Sequence, residues 1–296
     1  CFNLCAAILD PGDECVIPAP YWVSYPDMAL LADATPVFVY GGLDQGYKIT
    51  PAQLARAITP RTKLFIVNSP SNPTGAAYTA AELKALGAVL AEHPRILIAS
   101  DEMYEHIYWA SEPLQSFAQA NPDLYGRTVT INGVSKAYAM TGWRIGYCGG
   151  PKEIVNAMAT VQGQSTSNAS SISQRAATVA LTGDQACVAA MNQEFKKRHD
   201  FVVAGLNSIP GITCRPGAGT FYAFANVEGA MRSLGLKDDT AFAEYLLAEA
   251  GVAVVPGSGF GAPGHIRLSF ACSLETLEEA LRRTARALTA SVARRA

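Results

Sequence analysis

Short apolar runs typical of buried strands alternate with longer helical stretches in the first part of the chain. The runs are rich in β-branched residues, as in KLFIVN at 63–68 and TVTIN at 128–132. Such runs, separated by helices, are typical of a parallel sheet whose two faces are covered by helices. The pattern therefore predicts an α/β domain with a largely parallel sheet. The predicted strands are 15–18, 36–40, 63–68, 96–100, 128–132 and 144–148, and the predicted helices are 25–31, 51–57, 80–92 and 152–161.

The pattern changes after residue 184. A long helical stretch at 185–207 ends near Pro210-Gly211 and precedes a mixture of strand and helix signals. This order predicts a second, smaller α+β domain that follows a connecting helix. We expect a large domain over 1–195 and a small domain over 196–296. The predicted elements of the small domain are strands at 220–225, 252–256 and 265–270 and helices at 239–250 and 274–292.

Composition and charge exclude several classes of protein. The chain has 296 residues, 49% of them hydrophobic, and a formal net charge of -2. That is enough apolar material for a large core. The chain has no dense basic stripe, so the sequence does not indicate nucleic-acid binding. The arginines at 282, 283, 294 and 295 are interpreted as a solvated face and the end of the final helix. No apolar run approaches the roughly 18 to 20 residues that a membrane span requires.

The cysteines and histidines show no spacing that indicates a metal site or a disulfide framework. The cysteines are scattered, odd in number and without a CxxC pair, which is typical of a reducing compartment. We therefore expect a cytoplasmic protein with no bound metal. The seven cysteines are Cys1, Cys5, Cys15, Cys148, Cys187, Cys214 and Cys272.

The start of the chain resembles the second half of a helix followed by a turn. The segment CFNLCAAILDPGD begins at Cys1 rather than at methionine, and no signal for a helix start precedes it. We expect the natural protein to carry further residues before Cys1.

Polar side chains follow three of the predicted strands, where the α/β rule places a ligand site. Asn72 comes shortly after KLFIVN, Asp101 directly after ILIAS, and Lys136 shortly after TVTIN. Each has an ordinary alternative: a turn residue, the N-cap of the next helix, and an exposed lysine. Because all three follow strands of the same predicted sheet, they together indicate a ligand site.

Five motifs lie around and beyond these positions: NSPSNPTG at 68–75, SDEMYE at 100–105, SK at 135–136, MTGWRIGY at 140–147 and HIRLS at 265–269. Together they closely resemble the class I pyridoxal-phosphate-dependent aminotransferases, and most closely their bacterial aspartate aminotransferase subgroup. They occur in the family's order and at similar spacings. The resemblance implies a fold-type-I large domain with a mostly parallel sheet and a smaller α+β C-terminal domain.

The resemblance implies roles around the cofactor ring. Lys136 resembles the Schiff-base lysine, which also moves a proton and so requires a lowered pKa. Asp101 resembles the carboxylate that keeps the pyridine nitrogen protonated. Asn72 and Tyr104 resemble the donors beside the phenolic oxygen, and Asn72 also belongs to the substrate site.

The remaining implied roles concern the ring face and the anionic groups. Trp22 resembles the aromatic plate stacked on the ring, although its neighbour Tyr21 is an alternative. Ser135 and Arg144 resemble the anchors of the cofactor phosphate. Arg267 resembles the arginine that binds the substrate α-carboxylate, and its apolar strand argues against an ordinary surface arginine.

Two local features are also predicted. The peptide bonds Ala19-Pro20 and Asn72-Pro73 match positions that are often cis in the family, and an X–Pro bond makes this feasible. The segment PGAGT at 216–220 precedes a strand rather than a helix, so it lacks the phosphate-loop arrangement. We interpret it as a turn of the small domain.

The resemblance implies transfer of an amino group between an amino acid and a 2-oxo acid by a homodimer with pyridoxal 5′-phosphate. Aspartate is the default donor, and aromatic, prephenate-type and alanine-type donors remain open. Two alternatives keep the cofactor: a carbon–sulfur lyase or decarboxylase, and a non-catalytic cofactor-sensing module of a transcription regulator. If the 296 residues act alone, we expect weak cofactor affinity and poor or no turnover.

Overall fold

The computed structural model describes residues 1–293, the last four of them by their backbone. The predicted arginines Arg294 and Arg295 lie outside the described residues. The strands of the larger sheet are β1 (Glu14–Ala19), β2 (Thr35–Tyr40), β3 (Thr62–Asn68), β4 (Leu97–Asp101), β5 (Thr128–Gly133) and β6 (Gly146–Gly149). Their order is β2-β1-β3-β4-β5-β6, and all are parallel except β6, which pairs antiparallel with β5. The predicted, mostly parallel sheet is confirmed.

Helices connect these strands and cover both faces of the sheet. α8 is the long connecting helix that the sequence predicts. The helices are α1 (Phe2–Ile8), α2 (Ser24–Leu30), α3 (Pro51–Ala57), α4 (Ala80–Ala91), α5 (Phe117–Ala120), α6 (Lys152–Ser165), α7 (Ser171–Thr182) and α8 (Ala186–Asn207).

The alternation of side chains along the central strands divides the apolar residues between two cores. On β3, Leu64 and Ile66 pack with α1, α2 and α6, whereas Phe65 and Val67 pack with α3, α4 and α5. All four side chains are at most 4% exposed. This burial on both faces explains why the strand is a continuous apolar run rather than an alternating one.

Capping boxes fix the starts of α3 and α4. The Thr50 hydroxyl accepts from the backbone N–H of Gln53, whose side chain accepts from the N–H of Thr50. Thr79 and Glu82 form the same reciprocal pair at α4. Each box satisfies two N–H groups that a helix start leaves unpaired.

The connection between β5 and β6 explains the antiparallel edge strand. It contains turns and a 3-10 turn at Thr141–Trp143, but no crossover helix. A parallel return requires a long crossover, usually helical, so the short segment brings β6 back antiparallel. Lys136 lies in this segment, at the carboxyl end of β5.

A smaller, antiparallel sheet follows α8 in the order β7-β8-β10-β9. Its strands and helices share a separate apolar core with the inner face of α8. The elements are β7 (Thr213–Cys214), β8 (Tyr222–Asn226), α9 (Glu228–Leu234), α10 (Asp239–Tyr245), β9 (Val255–Pro256), β10 (His265–Ser269) and α11 (Leu274–Ala293).

The structure differs from the predicted elements in several places. The helices α5, α7 and α9 are not predicted from the sequence, and the strand expected at 252–256 is confined to Val255–Pro256. The expected helix at 239–250 is α10 followed by a π-helical turn at Leu246–Ala250. The division at residue 195 falls within α8 and stays a prediction.

The two predicted cis peptide bonds are confirmed, since Ala19-Pro20 and Asn72-Pro73 are both cis. Ser69-Pro70 is also cis, which the sequence did not indicate. No helix among the described residues is long and apolar enough to cross a membrane.

Candidate active site

A cavity of about 860 Å³ lies between the carboxyl edge of the larger sheet and one face of the smaller sheet. Segments after β3, β4 and β5 line it from one side, and β10 lines it from the other. The cavity wall includes all eight residues predicted for the site: Trp22, Asn72, Asp101, Tyr104, Ser135, Lys136, Arg144 and Arg267.

Asp101 ends β4 and is 6% exposed. Its Oδ2 accepts a hydrogen bond of 2.6 Å from the Tyr25 hydroxyl, and its Oδ1 accepts one of 3.2 Å from the Met103 N–H. Burial raises the pKa of this carboxyl, and the two donors lower it in part. None of the ion pairs among the described residues involves Asp101. The site thus holds a buried carboxylate without a cationic side-chain partner.

A chain of amide contacts links the two sheets. The Asn68 side chain donates to the Asp101 carbonyl at 3.0 Å and accepts from the Asn72 N–H at 2.8 Å. The Asn72 Oδ1 in turn accepts from Arg267 Nη1 at 2.8 Å. Because the Asn72 oxygen is occupied in this way, its NH₂ group remains the part that can donate to a ligand.

Two aromatic rings flank the Arg267 guanidinium. Its carbon lies 4.3 Å from the Tyr222 ring centroid and 4.7 Å from that of Phe260. Burial lowers the pKa of Arg267, yet an arginine stays charged under all ordinary conditions. The described residues offer it no carboxylate within ion-pair distance, so its remaining N–H groups can bind an anionic ligand edge-on.

Tyr104 follows Asp101 in the loop after β4 and is 4% exposed. Its hydroxyl lies 3.4 Å from the Tyr222 hydroxyl. Burial, followed by the neighbouring Tyr222, raises the Tyr104 pKa. The hydroxyl therefore stays protonated and can act as a donor in the cavity.

Lys136 is half-buried, and its Nζ lies 5.7 Å from the Phe221 ring centroid. Burial lowers the lysine pKa, and the charges of Arg144 and Arg267 lower it further. Within the described part of the chain, Nζ makes no hydrogen bond or ion pair. An amine of lowered pKa without a partner is a suitable nucleophile and base.

Arg144 has a left-handed backbone conformation, with φ 56° and ψ 47°. Its Nη1 donates to the Thr141 carbonyl at 2.9 Å, and the rest of the exposed guanidinium has no partner among the described residues. Ser135 is half-buried and lines the same cavity. The two side chains are an available guanidinium and an available hydroxyl, the groups that bind phosphate.

Trp22, and not Tyr21, contributes an aromatic wall to the cavity. The Trp22 ring meets the Tyr25 ring edge-on, with centroids 5.3 Å apart. The Tyr21 ring is stacked on Phe38 with centroids 5.0 Å apart and is not among the residues that line the cavity.

The sequence did not indicate four residues that shape the site: Tyr25, Asn68, Tyr222 and Phe260. Tyr25 could have been found, because it lies one helical turn after Trp22 and so shares its side of the chain. Tyr222 and Phe260 reach Arg267 only through the fold of the small sheet, so no short-range signal marks them.

The segment at 216–220 is a connection between the two sheets, in agreement with its interpretation as a turn. The Gly75 carbonyl accepts from the N–H groups of Ala218 and Gly219. Gly75 has φ +68°, and a Cβ there would lie 2.8 Å from the Gly219 carbonyl. The approach therefore requires glycine at position 75.

The sequence model of the family described as aminotransferase class I and II matches residues 2–283. The chain belongs to this family. It is 54% identical over 290 residues to the aspartate/prephenate aminotransferase of Nitrosomonas europaea, covering 96% of this chain and 73% of the relative. It is 51% identical to the aspartate aminotransferase of Geobacillus stearothermophilus, covering 95% and 72%.

Solved structures show the same fold. The crystal structure of the aspartate aminotransferase from Rhizobium meliloti matches with a TM-score of 0.93 and 49% identity, over 97% of this chain and 73% of that one. The aromatic aminotransferase from Pyrococcus horikoshii matches with a TM-score of 0.91 and 35% identity, over 98% and 76%. These relatives confirm an aminotransferase of fold type I rather than a lyase, a decarboxylase or a regulatory module.

Proposed function

We propose that this aminotransferase holds pyridoxal 5′-phosphate in the cavity on Lys136 and exchanges an amino group between aspartate and a 2-oxo acid. The observation that supports it is one cavity with a half-buried amine, a buried carboxylate and two arginines that the described residues leave without carboxylate partners. Aspartate is proposed because relatives at about 50% identity bear that substrate in their names.

The residues present fit the cofactor. Asp101 is a buried carboxylate that would gain a cationic partner from a protonated ring nitrogen. Arg144 and Ser135 offer groups that bind a phosphate, and Trp22 offers an aromatic face. The bound cofactor supplies an aldehyde that condenses with amines and a ring that withdraws electrons from the substrate.

Lys136 and Asp101 carry the proposed proton chemistry. Asp101 holds a proton on the ring nitrogen, and its burial makes that interaction strong. Lys136 accepts a proton from the substrate Cα and returns it. Because burial, Arg144 and Arg267 lower its pKa, a larger fraction of the amine is unprotonated near neutral pH.

Asn72, Tyr104 and Arg267 orient the ligands in this proposal. Arg267 would bind the α-carboxylate through the N–H groups that Asn72 leaves free, and the nearby rings of Tyr222 and Phe260 hold the guanidinium in place. The Asn72 NH₂ group and the Tyr104 hydroxyl, which both line the cavity, would donate to the phenolic oxygen of the bound cofactor. The Asn72 oxygen accepts from Arg267, and its NH₂ group is left for the cofactor. This one side chain therefore links the arginine that binds the substrate to the ring of the cofactor.

A panel of amino donors with 2-oxoglutarate and prephenate as acceptors tests the function, with Lys136→Ala as the decisive variant. Loss of the amine should lower turnover at least about a thousandfold, because it removes both the attachment and the base. Lys152→Ala is the control, since this exposed lysine at the start of α6 is outside the cavity. Lys136→Ala turnover within tenfold of the wild type, or no activity with aspartate, would contradict the proposal.

We further propose a cytoplasmic homodimer. Large apolar side chains are exposed beside the cavity and along α7, namely Trp143 at 44%, Tyr147 at 42%, Ile172 at 73% and Val179 at 56%. Apolar groups exposed together mark interaction surfaces. All the cysteines are free, which suits a reducing compartment. Light scattering after gel filtration tests the dimer, and a monomer at micromolar concentration would contradict it.

A further inference from the structure

The shortest side-chain hydrogen bond to Asp101 comes from a tyrosine with no role assigned so far. The Tyr25 hydroxyl donates to Asp101 Oδ2 at 2.6 Å, and Tyr25 is 2% exposed. Burial and the adjacent carboxylate raise the Tyr25 pKa well above its usual value. The hydroxyl therefore stays protonated, and it is the donor in this bond.

A buried carboxylate stays ionised only where donors replace the water it has lost. No described side chain forms an ion pair with Asp101, and its two shortest hydrogen bonds come from the Tyr25 hydroxyl and the Met103 N–H. A third, weak donor is the Cys1 thiol, 3.9 Å from Oδ2. The Met103 bond is longer, at 3.2 Å, and comes from a residue only two positions after Asp101. Tyr25 comes from α2, on a different part of the chain, so it also fixes the direction of the carboxylate.

We infer that Tyr25 is a positioning residue that keeps Asp101 ionised and aimed at the ring nitrogen of the cofactor. The inference rests on the proposed function, because it concerns the same cofactor. Trp22, three residues earlier, packs edge-on against the Tyr25 ring. One turn of chain thus provides both the aromatic wall and the donor to the carboxylate.

Two ligands that differ at one ring atom test this role. Pyridoxal 5′-phosphate and its 1-deaza analogue, in which carbon replaces the ring nitrogen, are titrated by calorimetry into the wild type and Tyr25→Phe. We expect Tyr25→Phe to weaken binding of the cofactor about tenfold, since a hydrogen bond to a charged group contributes about that much. The analogue should change by less than about twofold, because it makes no bond to Asp101.

Tyr78→Phe is the matched control. Tyr78 is a buried tyrosine whose hydroxyl accepts one hydrogen bond, from the Ile49 N–H at 3.0 Å, and it is not part of the cavity wall. Equal weakening of both ligands by Tyr25→Phe would overturn the inference and leave the proposed function intact. Failure of the full-length wild-type protein to bind pyridoxal 5′-phosphate would contradict the proposed function instead.

A second measurement on the cofactor-free protein tests Tyr25 in either case. Burial raises the Asp101 pKa, so the folded state loses stability as pH rises through that value. Removing the Tyr25 donor raises the pKa further and extends this loss to higher pH. We compare the folding equilibrium constant of Tyr25→Phe with that of Tyr78→Phe at each pH. The ratio of the two constants should be about tenfold lower at pH 8 than at pH 5.

Other ionisable groups near this pair are unchanged in both variants, so they cancel in the comparison. A ratio of the two variants that does not vary with pH would overturn the inference. The groups that face the pair are the thiols of Cys1 and Cys5 and the side chains of Glu102 and Tyr104 in the loop after β4.

Discussion

Replacement of Arg267 by lysine keeps a positive charge on β10 but removes the planar guanidinium. The guanidinium has five N–H groups, one of which donates to Asn72. The rings of Tyr222 and Phe260 lie 4.3 and 4.7 Å from its central carbon. A carboxylate binds a guanidinium best along the edge, where two parallel hydrogen bonds form. Lysine cannot make that pair.

The structure sets the size of the effect. If the ammonium of Arg267→Lys keeps the bond to Asn72, it has one donor left along the direction of the carboxylate. The loss is then one charge-assisted hydrogen bond, or about 1.5–3 kcal/mol. This corresponds to a decrease in kcat/KM of about 10- to 150-fold for an amino acid donor.

The assay compares an amino acid donor with the amine that its decarboxylation would give. Only the amino acid carries the carboxylate that Arg267 binds, so kcat/KM for the amine should change by less than about threefold. Arg232→Lys is the control, because Arg232 on α9 is exposed and pairs with Glu228 on the surface. Equal losses for both donors would refute the assignment of Arg267 to the carboxylate.

Two further predictions concern stability, each measured by chemical unfolding. Gly87→Ala on α4 should lower the free energy of unfolding by about 2 kcal/mol, because the added Cβ would lie 1.8 Å from Asn121 Oδ1. Gly163→Ala on α6 should raise it by up to about 1 kcal/mol, because the added Cβ would meet no neighbouring group. Equal effects of the two substitutions would contradict this reasoning. Burial raises the Glu102 pKa from 4.5 to about 7, so the protonated carboxyl stabilises the fold below about pH 4.5 and this stabilisation is lost as the pH rises to 8. In Glu102→Gln the free energy of unfolding should therefore fall by about 3 kcal/mol less over this range than in the wild type. The same pH dependence in both proteins would contradict this.

The sequence predicted the large sheet well because buried parallel strands are continuous apolar runs. Both β3 and β4 begin and end within one residue of the predicted positions. It failed at α7, whose sequence SISQRAATVALT is rich in serine and threonine, residues that are moderate helix formers and favour caps and turns. It also gave no direction for β6, since strand direction depends on the path of the connection rather than on the strand itself.

The candidate site was predicted from motifs, but its contacts depend on the meeting of the two sheets. Arg267 and Asn72 are 195 residues apart in sequence, and their hydrogen bond follows from the pairing of β10 with β8. That register places Phe224 opposite Arg267 and puts Tyr222 on the same face. No local pattern around Arg267 specifies which rings will flank it.

The balance of charge in the cavity links the parts of the site. Among the described side chains that line it, Lys136, Arg144 and Arg267 are cationic, and Asp101 alone is acidic. Burial, and after it the charges of Arg144 and Arg267, lower the Lys136 pKa, and the excess of positive charge favours a phosphate and a carboxylate as ligands. An anion at Arg144 and another at Arg267 would each offset part of the repulsion on the lysine. With both anions bound, burial would remain as the main cause of the lowered Lys136 pKa.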